Sequence, residues 1–211
     1  MIDQELLDEL WDFDDAAATE ARLHIELQQG GPYDEIERSE LKTQLARAIG
    51  LQERYDDAAE MLIGVEAAEA PVVIARVLLE SGRILNSAGK GTDAAPLFLR
   101  AAEIAGQNGL IFLQVDALHM LAIATPSNAE HWIAQAVAIA AGSPDERTRR
   151  WLISLHNTLG WSHFDAGEFE AAMSEFVTAA RWADLVGTEQ QRTWAAEAIA
   201  ECEIATQSDE L

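Results

Sequence analysis

Apolar residues recur along this chain at steps of three and four, the spacing of one face of an α-helix. The segment Leu155 to Phe164 carries such a stripe and stops before Gly167; the next places Phe169, Ala172, Met173, Phe176 and Ala180 on one face. The same rhythm predicts helices near 3–10, 15–29, 34–51, 55–68, 72–88, 92–106, 109–124, 128–141, 145–165, 168–186 and 189–206. The only β-branched runs are short, and one of them, Val72-Val73-Ile74, follows Pro71 at an expected helix start. The pattern therefore predicts an all-α chain. Three start signals support it: Ser143-Pro144-Asp145-Glu146 reads as a capping serine with a first-turn proline, while Ser127-Asn128-Ala129-Glu130 and Thr188-Glu189-Gln190-Gln191 read as capping boxes.

The chain also repeats itself. A shift of 78 residues brings Gly82 onto Gly160, Gly89 onto Gly167, Ala94 onto Ala172, Phe98 onto Phe176 and Ala101 onto Ala179. A shortened copy lies between them, in which Ala122, Ala129, Ile133 and Ala136 keep the order small, small, bulky, small. Its loss falls at Thr125-Pro126-Ser127, where proline ends the preceding helix early. Upstream, Ala46, Ala58, Leu62 and Val65 each precede a counterpart by 36 residues. Four copies of a two-helix unit result. A single such hairpin cannot cover its own apolar face, so the copies must stack.

Composition narrows the function. Alanine supplies 38 residues, which favours helices that approach closely. Lys and Arg total 14 against 37 Asp and Glu, a formal charge of −23. A surface this acidic repels nucleic acid and anionic membranes, and it either keeps an alanine-rich protein soluble or favours a basic partner. No apolar stretch approaches the ~20 residues needed to span a bilayer, and Met1-Ile2-Asp3-Gln4-Glu5 is acidic where a signal peptide is basic. A cytoplasmic protein is expected. The lone Cys202 excludes an internal disulfide and a cysteine-built zinc site, and it has no evident activating partner. His156 and His163 align with Leu78 and Leu85 of the earlier copy and read as half-buried core residues. His24, His119 and His131 are scattered. Gly89-Lys90-Gly91-Thr92 lacks the spacing of a phosphate-binding loop. No metal site, no cofactor and no catalytic constellation is expected.

The order Leu159-Gly160, His163, Gly167-Glu168-Phe169, Ala172, Phe176 and Ala179 resembles the tetratricopeptide repeat (TPR) family, whose signature places Leu-Gly, an aromatic, alanine, phenylalanine and alanine at these intervals. Leu10-Trp11-Asp12-Phe13-Asp14-Asp15 and Asp116-Ala117-Leu118-His119-Met120 are similar to runs in uncharacterised bacterial members. The resemblance implies a right-handed superhelix of antiparallel helix pairs, a TPR-like α-solenoid forming a single domain over 1–211. Capping helices would occupy 1–30 and 189–206, with repeats at 34–68, 72–106, 109–141 and 145–186.

In such repeats the first helix of each pair lines the concave face. Helical phase then makes Glu40, Thr43, Gln44, Arg47, Arg76, Glu80, Arg83, Asn86, Asp116, His119, Asn157, Trp161 and Asp165 candidates for that wall. The partner-binding groove is expected to use Arg47, Arg76, Arg83, Asn86, His119, Asn157 and Trp161. Arg76 and Arg83 either hold a carboxylate of a ligand or are neutralised by Glu80 and Asp116. Trp161 either anchors a ligand or packs between hairpins. The lysine and asparagine pattern with which co-chaperone members grip a terminal carboxylate is broken here: the equivalent places hold Thr43 and Arg47, Leu79 and Arg83, Asp116 and Met120. The expected function is a scaffold or adaptor, not an enzyme, that binds a protein or peptide segment. The alternative is a regulatory sensor that changes curvature on binding a small peptide or metabolite. Homo-oligomers stay open.

Overall fold

The structure is a computed structural model whose described residues are 2–65 and 69–209. Within them every regular element is helical: α1 (Gln4–Leu10), α2 (Ala16–Gln29), α3 (Glu35–Gly50), α4 (Tyr55–Ile63), α5 (Pro71–Ser87), α6 (Gly91–Gln107), α7 (Ile111–Ala124), a 3-10 turn (Pro126–Asn128), α8 (Ala129–Ala141), α9 (Glu146–Arg149), α10 (Trp151–Asp165), α11 (Phe169–Val186) and α12 (Glu189–Asp209). None of these helices is long and apolar enough to cross a membrane.

The expected helices fall within two residues of these bounds except in three places. Helix α4 ends at Ile63 with Gly64 at its cap; residues 66–68, the tail of the predicted 55–68 helix and of the 34–68 repeat, lie outside the described residues. The predicted 145–165 helix divides at Arg150, where the amide of Ile153 bonds the Arg150 carbonyl three residues back, a tighter turn than an α-helix makes. Helix α12 runs three residues further than the pattern suggested.

Two of the expected start signals differ in detail. Asp145, not Ser143, caps α9, accepting from the amides of Arg147 and Thr148, and Ser143 Oγ accepts from Asp145 instead. A carboxylate is the better acceptor at a positive helix end, so it displaces the hydroxyl two residues earlier. Asn128 precedes α8 without a side-chain cap, because Ser127 is consumed in the 3-10 turn that Pro126 starts. The third signal forms as expected: Thr188 Oγ1 accepts from Gln191, and Gln191 Oε1 accepts from Thr188. A capping box that the pattern did not flag, Asp34 with Glu37, starts α3.

The chain divides into two compact units, Met1–Thr125 and Pro126–Leu211, and the division falls in the shortened copy where proline interrupts the pattern. In the first unit α3 packs on α2, α4 and α5, and α5, α6 and α7 pack in succession. In the second, α10 packs on α8 and α11, and α11 on α12.

The 78-residue echo has a physical basis in each unit. After α5, Gly89 adopts φ 76°, Lys90 N–H bonds Leu85 O at 2.9 Å and Gly89 N–H bonds Asn86 O at 3.0 Å. After α10, Gly167 adopts φ 75°, with Glu168 to His163 at 2.9 Å and Gly167 to Phe164 at 3.0 Å. This is the left-handed helix stop that glycine adopts without steric cost. Two turns in from the stop, a Cβ on Gly82 would lie 2.5 Å from the ring of Phe98, and one on Gly160 would strike the ring of Phe176. Both rings are wholly buried. Each glycine is therefore the recess into which the phenylalanine of the following helix fits, which explains why the two residues repeat together. In the copies where alanine stands in the glycine's place, at Ala46 and Ala122, the bulky residue is Leu62 or Ile133, not phenylalanine.

Candidate functional site

The first-helix faces have different contents in the two units. In the first unit they hold a buried charge network. Glu40, on α3, is fully buried, and its Oε2 accepts from Arg76 Nε of α5 at 2.9 Å. Arg83, one turn beyond Glu80 on α5, bridges that glutamate to Asp116 of α7. Arg47 of α3 lies over the rings of Trp11 and Phe13, 5.3 and 5.5 Å from their centroids. Three guanidinium groups thus face three carboxylates, and the network is neutral within itself.

Burial and nearby charge both act on the protonation of Arg83, Asp116, Arg47 and the neighbouring His119, in opposing directions at Arg83 and Asp116. Burial works against the charged form of Arg83, but Asp116 and Glu80 hold its guanidinium above the ordinary value. Burial raises the Asp116 carboxyl, yet the guanidinium groups of Arg83 and Arg47 win and hold it below the ordinary carboxylate range. Arg47 is lowered, by burial first and then by repulsion from Arg83. His119 is pushed down to about 4, by burial above all, and stays neutral near pH 7. Arg47 Nε and Glu80 Oε2 are buried with no hydrogen-bond partner among the described residues.

The N-terminal segment lies against this wall. The amide of Ile2 donates to Glu40 Oε1 at 3.0 Å, and the Trp11 indole donates to Gln44 Oε1 at 3.1 Å. Ile2, Leu7 and Leu10 are buried in a cluster with Leu41, Leu45 and Ile49 of α3. Asn86 sits half-buried at the end of α5, beside the turn that its own backbone carbonyl closes.

In the second unit the 78-residue equivalents of Arg76, Glu80 and Arg83 are Ser154, Thr158 and Trp161, so no such ion network can form on α10. Trp161 packs edge-on against Phe164 at 5.2 Å and Phe176 at 5.0 Å, within a cluster that includes Ala172, Ala198 and Cys202. Asn157 instead lines a cavity of about 70 Å³ with Ser154 and Ile153 of α10, Ala179 of α11, and Gln191, Trp194 and Ala195 of α12. Trp194 is 54% exposed at this site.

Of the expected groove residues, Arg47, Arg76, Arg83 and His119 thus meet in one network in the first unit, and Asn157 and Trp161 share α10 in the second. The sequence pattern marks Gln191 only as part of a capping box and Trp194 not at all, since both lie on a helix expected only to cap the chain. The histidine readings have a structural counterpart: half-buried His156 and His163 bond Glu175 and Glu168 through Nδ1, each at 2.7 Å. Glu175 is the half-buried partner of His156. Buried Cys202 donates to the Phe169 carbonyl at 3.5 Å, and burial raises its thiol pKa. Among the described residues no three His, Cys, Asp or Glu side chains converge as metal ligands would.

BtubC (BKLC) from P. vanneervenii superposes over 93% of this chain and 85% of its own, with TM-score 0.61 and 16% identity. The fold is TPR-like. A putative kinesin light chain from Podosopora anserina, with nearly identical TPR-like repeats, matches over 84% of this chain and 91% of its own at TM-score 0.61 and 18% identity. Aspartyl phosphate phosphatase F from Bacillus subtilis matches over 92% of this TPR-like chain at TM-score 0.62 and 14% identity, and the match spans about half of that protein, 52%. No protein-family model matches the sequence, and a search of curated protein sequences finds no match.

Proposed function

We propose that this chain is a protein- or peptide-binding scaffold that presents the first-helix faces of its TPR-like repeats to an extended or helical segment of a partner. The observation that carries this reading is the cleft around Asn157. An amide on α10, a second amide on α12 at Gln191 and the half-exposed indole of Trp194 converge on a space the size of a small side chain. An amide can bond a partner's backbone in either direction, and a tryptophan at the rim supplies a rigid apolar surface with one donor. Recognition through few such anchors is how binding energy is distributed in most protein interfaces.

Asn157 and Trp194 are also the cleanest probes, because neither is buried in the core. Arg83 and Trp161 are packed, so their variants would change stability as well as binding. A pulldown from native lysate with partners identified by mass, repeated with Asn157→Ala and Trp194→Ala, tests the proposal. Each substitution should weaken the recovered interaction by more than about 1 kcal/mol, roughly fivefold, with the thermal midpoint unchanged. Unchanged recovery with both variants would remove the cleft from the function.

A further inference from the structure

We propose that residues 2–13 are a displaceable internal occupant of the α3 wall in the first unit. The outside partner of that wall is then a short amphipathic helix with leucines three residues apart and a tryptophan immediately after the second. This rests on the reading of the chain as a peptide-binding scaffold but concerns a surface that the Asn157 cleft does not include.

The side chains that phase places on the inner side of α3 are not free to meet a ligand as they stand. Glu40, Thr43 and Gln44 are buried, and the Nε of Arg47 is too. Glu40, Gln44 and Arg47 are each met by residues 2–13, in the manner of a bound peptide. One backbone amide, from Ile2, is held by Glu40; one indole, from Trp11, is held by Gln44; and the faces of Trp11 and Phe13 meet the Arg47 guanidinium. Leu7, Leu10 and Trp11 stand at helical spacing, and the two leucines are buried against α3 residues Leu41 and Leu45 in one cluster.

Three features make this occupant exchangeable. Helix α1 has seven residues, and an isolated helix needs roughly 12–15 to be stable in water, so its order depends on the wall it covers. The segment is also tied to α2, through Asp12 with Thr19 and the Leu10 carbonyl with Arg22, yet Phe13 at its end remains 65% exposed. Arg47 Nε finds no acceptor under this occupant, so the present fit leaves a buried donor unsatisfied, which a better-fitting ligand would correct. Removing the segment outright would expose Leu41 and Leu45, so it leaves only when something with the same apolar stripe replaces it. That requirement defines the partner's chemistry.

The test uses the full chain and a fluorescently labelled synthetic peptide with the sequence of residues 2–15, followed by anisotropy. In the wild type the tethered segment competes at a high effective concentration, so the peptide should bind weakly. Trp11→Ala/Phe13→Ala in the protein loosens the occupant and should tighten peptide binding at least tenfold. Adding Gln44→Ala and Arg47→Ala to that variant should reverse the gain, and a peptide carrying Trp11→Ala should not bind. No gain in the loosened protein, with its far-UV circular dichroism intact, overturns the proposal. Concentration-dependent dimers of the wild type that vanish with Trp11→Ala would overturn it in favour of exchange between copies. If the loosened variant loses helix, hydrogen exchange on the wild type decides. Amides of residues 7–11 exchanging at least tenfold faster than those of residues 41–49 support displacement, whereas exchange only through global unfolding rules it out.

Discussion

Helices α5 and α10 occupy equivalent places in two copies of one repeat, yet they solve the same problem with opposite chemistry. Both end at a left-handed glycine with the same pair of backbone hydrogen bonds, and both recess a glycine for a buried phenylalanine. Their inward faces share nothing. Arg76, Glu80 and Arg83 on α5 tie three helices together through ion pairs, while Ser154, Thr158 and Trp161 replace them on α10 and the space is filled by aromatic packing. The difference teaches which positions the repeat constrains. Backbone closure fixes the glycines and the phenylalanine; the face lining the wall is free to be charged or aromatic. A charged wall must be neutral internally, because each buried charge costs several kcal/mol unless it is paired. An aromatic wall has no such condition, and the open cleft on α10 lies beside it, at Ser154 and Asn157.

The largest effects should come from breaking each solution at its centre. Asp116→Ala removes the carboxylate that Arg83 and Arg47 face, and should cost about 3–5 kcal/mol as an uncompensated buried charge appears. Phe98→Ala and Phe176→Ala should cost ~3–5 kcal/mol each by emptying a buried ring site. Chemical denaturation measures all three, and a marked inequality between the two phenylalanines would end the equivalence of the recesses. Gly82→Ala and Gly160→Ala should each be destabilising by about 1–3 kcal/mol, because the new methyl meets a ring that cannot retreat; the better helix propensity of alanine offsets about 1 kcal/mol of this.

The pH dependence separates the two walls further. His119 in the folded first unit protonates at about 4, below the ordinary histidine value of about 6.5. Between those values the unfolded chain takes up a proton that the folded chain refuses, so stability falls as pH drops from about 6.5 towards 4. The depressed Asp116 carboxyl adds a further loss at lower pH, as protonation removes its pairing with Arg83. Thermal midpoints recorded across this range should fall in the wild type and flatten between pH 6.5 and 4 in His119→Gln. The smallest effect serves as a control: Glu197→Ala, at an exposed position on α12, should change stability by no more than about 0.5 kcal/mol.

The candidate wall was only half legible in the chain. Helical phase groups Glu40, Gln44 and Arg47, and Arg76, Glu80 and Arg83, because residues three, four and seven apart on a helix share a face whatever it packs against. It could not say that Arg76 reaches Glu40, 36 residues earlier, while Arg83 takes Asp116, since the reach of a guanidinium depends on the distance between helices. Nor could it place Trp11 over Arg47, a contact made by a segment outside the repeat. Trp194 escaped notice because α12 falls beyond the last copy, where there was no earlier repeat to compare it with.

By itself the sequence determined the helices, their order and the TPR-like pairing, because these follow from local rules: apolar spacing, proline and glycine stops, and a small residue opposite a large one. Only the tertiary structure decided which charges are paired, which indole is buried and where a cleft is left open. Those outcomes depend on how closely particular helices approach one another. An approach of that kind is the joint result of many side chains, and no single stretch of the chain records it.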